Sequence, residues 1–494
     1  MSPLQQSLQI YRSTLQQYKK LASISDVLLW DREQALPEQA LPRRSHEFGM
    51  LERMMHEVLT SSEYVSALHD LYDQRENLSE ADRRGVELSM RSYHKQARLP
   101  AEFVQQYTEI KAKGFEQWTK AKQANDFRMY APYFEEMIAM SREYAQIIDS
   151  RRPVYDVLLD VYEEGTTYAD VEVLFSQLLP VAQNLVQNHS EVVADPLKGI
   201  KLDPHTKKAY LETLLAGMGF DFTRGVLGTA VHGRERKVSK HDTRLFVPLG
   251  NDDLFKVIQI AIHEMGHGLY DQYVLDEYSD TDLDRAVSVS IDESQARLFD
   301  SYIMLCDGFW EYALRELAEF EPRAKDIDAK QVAKYARSIQ PSLNRVNSDQ
   351  VGYIIHVAIR YQIERDLLDG ALSMEDLPKR WDADMKKNFG TEPKTLSEGC
   401  LQDVHWPYGM LGYFPNYVLG TAQAAQMWKA YTLEYPEYDQ AFAGGDFTSI
   451  RDWFSSHIWQ HGKRYAPETL LRNATGDAMQ PQYYIEYLKS IYSK

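Results

Sequence analysis

The chain of 494 residues predicts a mainly α-helical protein built as one large two-lobed body. Three observations carry that prediction. Apolar residues recur at three- and four-residue spacing over most of the length, as in Leu51, Met54, Met55, Val58 and Leu59. Prolines fall between such stretches, near Pro37 and Pro42 and at Pro100, Pro132 and Pro153. No internal repeat, low-complexity tract or flexible linker breaks the pattern. The expected organisation is a single domain over 1–494, with an N-terminal helical lobe to about residue 220 and the chemically interesting region from about 221 onward. The 32 tyrosines and 18 phenylalanines promise a large aromatic core or a ring-lined cleft.

Charge and cysteine usage exclude several classes of function. A net charge of -18 argues against nucleic acid as a partner, because phosphate binding needs a basic surface. Only Cys306 and Cys400 are present, too few to staple a fold of this length, which points to a reducing compartment. The start, Met1-Ser2-Pro3-Leu4, lacks the basic and apolar regions of a signal peptide, and no apolar run could span a bilayer. A cytoplasmic protein with no membrane partner is the expectation.

One stretch departs from the helical pattern. From about Gly225 to Gly250 the chain holds Val238 and then Thr243-Arg244-Leu245-Phe246-Val247-Pro248, rich in β-branched and aromatic residues and bounded by glycines. A small hairpin or sheet is expected there, with an edge that could pair with an extended peptide.

Directly after it, Asn251, Asp252 and Asp253 offer N-caps for a helix reaching about Val274. Leu254, Ile258, Ala261 and Met265 form its apolar stripe, and His263 lies about 180° away from Leu254. His263 and His267 are four residues apart, so both rings leave one face and can reach one ion. Glu264 points about 100° to the side, poorly placed as a ligand beside that pair but able to act as general base on an activated water. A third ligand is needed. Glu293, in a segment from Asp282 onward that reads as another helix, is the best candidate, and Asp292 beside it is a rival.

These residues and others resemble the carboxypeptidase Taq family of metallocarboxypeptidases over nearly the whole chain. Leu28-Leu29-Trp30-Asp31 with Pro37 resembles its opening segment. Trp118, Asn125-Asp126-Phe127 with Pro132, and Tyr155-Asp156-Val157-Leu158-Leu159 with Tyr162-Glu163 resemble the blocks that follow. Gly399-Cys400-Leu401-Gln402-Asp403-Val404-His405-Trp406 fits the family's G-x-x-Q-D-x-H-W signature in full, and Gly412-Tyr413-Phe414-Pro415-Asn416-Tyr417 continues the match. Four motifs drift at their edges. H-P-F reads His232-Gly233-Arg234, D-x-R-x-T reads Asp242-Thr243-Arg244-Leu245-Phe246, H-E-S-Q begins with Asp292, and R-x-x-A-D reads Arg345-Val346-Asn347-Ser348-Asp349.

The resemblance implies a cleft-containing helical fold, a homodimer, and one divalent metal per chain, usually zinc, with cobalt or manganese as alternatives. It implies release of single residues from the C-terminus of peptides. By position, His263, His267 and Glu293 would be the ligands and Glu264 the general base. His405 and either Tyr413 or Tyr417 are candidates for the donor that steadies the developing oxyanion. Exopeptidase action also needs a guanidinium for the free carboxylate. Arg345 leads because it occupies the family's position, Arg244 is second, and His232 is the retained part of the drifted motif. Either arginine could instead be structural, with Asp349 or Asp242 as its partner. A different cut by the same chemistry, as in an oligopeptidase or a dipeptide-releasing enzyme, and an inactive peptide-binding relative are the alternatives.

Overall fold

In a computed structural model, which describes residues 2–189, 191 and 193–492, the chain is helical apart from one small sheet. The first half holds α1 (Pro3–Gln34), α2 (Leu41–Leu59), α3 (Ser62–Asp73), α4 (Glu80–Arg98), α5 (Ala101–Ala124), α6 (Ala131–Asp149), α7 (Val154–Leu159), α8 (Tyr168–Asn188) and α9 (Pro204–Gly217). After the sheet come α10 (Leu254–Tyr273), α11 (Val289–Ser301), α12 (Asp307–Leu317), α13 (Ala329–Ala336), α14 (Gln350–Leu368) and α15 (Leu377–Phe389). The chain closes with α16 (Pro415–Glu434), α17 (Tyr438–Gly444), α18 (Thr448–His457), α19 (Pro467–Thr475) and α20 (Pro481–Tyr492). The prolines do what their chemistry allows. Pro42 and Pro132 stand in the first turns of α2 and α6, where an amide hydrogen has no intrahelical acceptor, and Pro100 and Pro153 stand just before α5 and α7. No described helix is long and apolar enough to cross a membrane.

The expected β region is present and larger than a hairpin. Strands β2 (Arg234–Ser239) and β3 (Asp242–Val247) pair antiparallel around Lys240 and His241. Strand β1 (Gly225–Thr229) adds to β3 in parallel, from Gly225 opposite Thr243 to Thr229 opposite Val247, giving the order β1-β3-β2. Trp30 of α1 lies over this sheet, its ring 4.3 Å from that of Phe246. A Cβ at Gly228 would sit 2.5 Å from the Trp30 ring, so the glycine is what lets α1 approach.

The apolar core does not part near residue 220. Phe134 and Leu174 belong to the same buried cluster as Leu245, Ile262, Phe299 and Leu488. A separate small cluster joins α1, α3 and α4 through Tyr11, Leu68, Leu71 and Val86. The predicted helix from Asp282 starts later, at Val289. Asp280 has a left-handed φ of 58°, and Ser288 is extended and accepts the Ile291 amide as N-cap, so helix cannot run upstream of it.

Candidate metal centre

Two helices that touch through glycine bring the site together. On α10, capped by Asp253, whose Oδ1 accepts the Lys256 amide at 2.9 Å, His263 and His267 leave one face with ring centroids 5.2 Å apart. Gly266 faces α11 so closely that a Cβ there would lie 2.5 Å from the Gln295 carbonyl oxygen. From the other side, a Cβ at Gly420 of α16 would lie 2.7 Å from the Ser290 oxygen and 3.1 Å from Glu293 Cβ. Held between these two glycines, α11 presents Glu293 to the histidines. Donor atoms of His263, His267 and Glu293 all lie within 4.8 Å of one another.

Each of the three is held by a second charged group. His263 Nδ1 donates to Asp300 Oδ2 at 2.9 Å. His267 Nδ1 lies 3.0 Å from Asp292 Oδ1, too far off line for a good hydrogen bond but in ion-pair contact. Arg297 Nε donates to Glu293 Oε1 at 2.7 Å, and its Nη1 donates to Asp300 Oδ2 at 3.1 Å. The Nδ1 side of each ring is thereby taken, leaving Nε2 for an ion; that of His267 is 3.9 Å from Glu293 Oε2. Asp292, the rival third ligand, stands on the far side of the His267 ring from this convergence.

The electrostatics suit a cation. Burial works against a charge on Glu293, yet Arg297, His263 and His267 hold its carboxyl below the usual range. Burial also works against charge on His267, but Asp292, Glu264 and Glu293 outweigh it and lift the ring to about 10. Carboxylates around the ring thus favour positive charge at this place, as a divalent ion would require. Two neutral-capable histidines, a carboxylate and outer carboxylates on the rings form a donor set that fits zinc-type ligation.

Glu264 is buried beside the three and makes no ion pair of its own among the described residues. Burial raises its carboxyl above the ordinary value. The drifted motif bears on it directly: a Cβ at Gly233 would meet Glu264 Oε1 at 2.7 Å and Ile260 at 2.3 Å, so the β1–β2 loop rests on this carboxylate. His232 in that loop is exposed.

The C-terminal signature folds against the site. His405 Nε2 and the Tyr417 hydroxyl are 3.1 Å apart, and the Tyr413 ring lies 5.4 Å from that of Tyr417. Burial and Arg345 push His405 down to about 3, so it is neutral. Arg345 Nε donates to Asp403 Oδ1 at 2.8 Å and Nη1 to the Tyr353 hydroxyl at 2.7 Å; its carboxylate partner is Asp403, not Asp349. Asp349 instead caps α14, accepting the Val351 and Gly352 amides. Arg244 closes its fork on Asp242, with bonds of 2.8 and 2.7 Å, and lies over the Trp30 ring.

Sequence reasoning missed Arg297 and Asp300, although they follow Glu293 by four and seven residues and so share its helical face. It also missed Arg360 and Glu364. Arg360 Nε donates to Asp403 Oδ2 at 2.6 Å, while Glu364 accepts from Tyr155, Trp406 Nε1 and the Gly412 amide. Those two are one turn apart on α14 and have no motif of their own.

Comparison with known proteins follows the same lines. The sequence profile described as carboxypeptidase Taq (M32) metallopeptidase matches residues 10–492. The chain belongs to the carboxypeptidase Taq family. It is 31% identical to Carboxypeptidase 1 of Bacillus subtilis over 468 residues, covering 94% of this chain and 93% of that protein. Identity to Thermostable carboxypeptidase 1 of Pyrococcus furiosus is 29%, covering 97% and 98%. A crystal structure of an M32 carboxypeptidase from Deinococcus radiodurans R1 superposes with a TM-score of 0.94 at 28% identity, covering 99% of both chains. As a member of the carboxypeptidase Taq family the protein is a metallocarboxypeptidase, and a divalent metal is its cofactor.

Proposed function

We propose that the protein releases single residues from the C-terminus of peptides, with Glu264 as general base and His263, His267 and Glu293 holding one zinc ion. The observation that carries this reading is the convergence of those three donors from two helices, with a second carboxylate, Glu264, left over. A bound divalent ion supplies Lewis-acid activation of water and of the scissile carbonyl. Glu264 takes the proton of the attacking water on its carboxylate and later delivers it to the leaving amide nitrogen. Burial, which raises this carboxyl above its ordinary value, makes it a stronger proton acceptor than an exposed glutamate.

The Tyr413 hydroxyl donates to the carbonyl oxygen as negative charge develops there. Tyr417, tied to His405, holds Tyr413 in place. Arg345 takes the terminal carboxylate through Nη2, which neither Asp403 nor Tyr353 occupies, whereas the fork of Arg244 is closed by Asp242. Substrates are peptides with a free C-terminus. A cytoplasmic location is supported by the two unpaired cysteines, and a homodimer by the family resemblance.

An N-blocked dipeptide and its C-terminal amide test the reading together. The free acid should yield a single amino acid, and the amide should be cut at least about 100-fold more slowly, because the charge-assisted clamp is lost. Equal turnover of both, or release of internal fragments from longer peptides, would contradict it.

A further inference from the structure

Beside the metal centre lies a cavity of about 430 Å³ that the reaction above does not use. Arg297, Asp300 and Tyr353 form the wall it shares with the metal centre, so it opens next to the groups that hold Glu293, His263 and Arg345. Its floor comes from the first turns of α10 and α14 and from α20.

The polar groups on this wall are unbalanced. Each carboxylate accepts at least one hydrogen bond, and Asp300 and Asp349 accept three each. Asp300 accepts from His263, Arg297 and Ser301, Asp349 from the Val351, Gly352 and Gln340 amides, and Asp253 caps α10. The donors are left over. The Lys256 ammonium has one partner, Gln259 Oε1 at 3.0 Å, and no carboxylate in ion-pair contact among the described residues. Among the described residues Ser348 Oγ has no hydrogen-bond partner, and the buried Tyr484 hydroxyl and Gln350 Nε2 have none besides their own loose approach to each other. Unmatched buried donors around a half-buried ammonium call for an acceptor-rich anion.

Lys256 precedes His263 by seven residues, so it stands on the same face of α10, about 10 Å along the axis. A substrate whose terminal carboxylate reaches Arg345 would pass its last side chain by Tyr353 into this cavity.

We propose that the cavity is the pocket for the side chain of the C-terminal residue, and that Lys256 makes it selective for an acidic one, glutamate or aspartate. This rests on the carboxypeptidase reading above for the direction in which the substrate lies. Lys256 is a specificity residue and takes no part in bond cleavage.

Calorimetry on the full-length, metal-loaded Glu264→Gln protein tests it without turnover, using N-benzoylglycyl-glutamate and the isosteric N-benzoylglycyl-glutamine. The glutamate peptide should bind about tenfold more tightly or better, as one charge-assisted hydrogen bond implies. Adding Lys256→Met should bring the two peptides within about twofold by weakening the glutamate peptide alone, and Lys256→Arg should keep the preference. Equal affinities with Lys256 present would overturn the proposal, as would a preference that survives Lys256→Met. So would an equal loss for both peptides, since that would make Lys256 a clamp for the terminal carboxylate. Failure of the carboxypeptidase reading looks different: the unmutated enzyme would release no terminal residue from either peptide, whatever their relative affinities.

Discussion

The metal centre and the anchor of the C-terminal signature are both built from buried charges, yet they are finished differently. In the anchor the charges are answered. Asp403 lies between Arg345 and Arg360, with contacts of 2.8 and 2.6 Å, and both guanidinium groups hold its carboxyl well below the usual range against the effect of burial. Glu364 collects three hydrogen bonds. At the metal centre each ligand is answered on one side only. Asp300, Asp292 and Arg297 fix the outer atoms of His263, His267 and Glu293, and the inner atoms face one another. Closed networks give a frame that resists change, and half-closed ones give a place where an ion and a substrate complete the bonding.

Single substitutions can break that contrast, and the largest effect should come from Glu264. Glu264→Gln should lower kcat by about 10²–10⁴-fold, as loss of a general base does, with metal content unchanged in elemental analysis. On the anchor side, Asp403→Asn should leave activity secondary to stability. It strands two buried guanidinium groups, which costs about 3–5 kcal/mol in a denaturant titration. Because Asp403 also fixes Arg345, the proposed carboxylate clamp, KM should rise as well; a fall in kcat without loss of stability would erase the distinction between frame and site.

A pH series sharpens it further. Burial lifts Glu364 from 4.5 to about 7. Its contribution to stability is therefore full below about pH 4.5 and is lost as pH rises through about 7. Unfolding free energy should fall by about 3 kcal/mol across that window from this group, and Glu364→Gln should remove that part of the slope. Glu163, also lifted to about 7 by burial and bonded to the Ser290 amide at the start of α11, should keep a residual slope in the variant. The smallest effect belongs to the outer groups. Asp300→Asn should weaken metal binding by about 10–100-fold in competition with a chromophoric chelator, and should cost less stability than Asp403→Asn because Arg297 keeps Glu293 as a partner.

The contrast also explains what could be read from the chain alone. His263, Glu264 and His267 share one helix, so their spacing states their geometry. The sheet before them was legible from its β-branched run, but the parallel pairing of β1 was not, since nothing local specifies a partner across β2. Asp403 as the partner of Arg345 is 58 positions away and depends on the 399–412 loop folding across α14; Asp349, four residues on, was the nearer guess and turned out to be a helix cap. The late start of α11 was hidden because the residues from Asp282 to Val287 have ordinary helical composition, and only the extended Ser288 and the left-handed Asp280 stop the helix.

Anomalous diffraction from crystals of the metal-loaded protein bears most directly on the whole picture. One peak per chain should appear bounded by Nε2 of His263, Nε2 of His267 and the Glu293 carboxylate, with Glu264 outside its contacts. A peak held by Asp292 or Asp300, or one that binds Glu264 in place of Glu293, would contradict it.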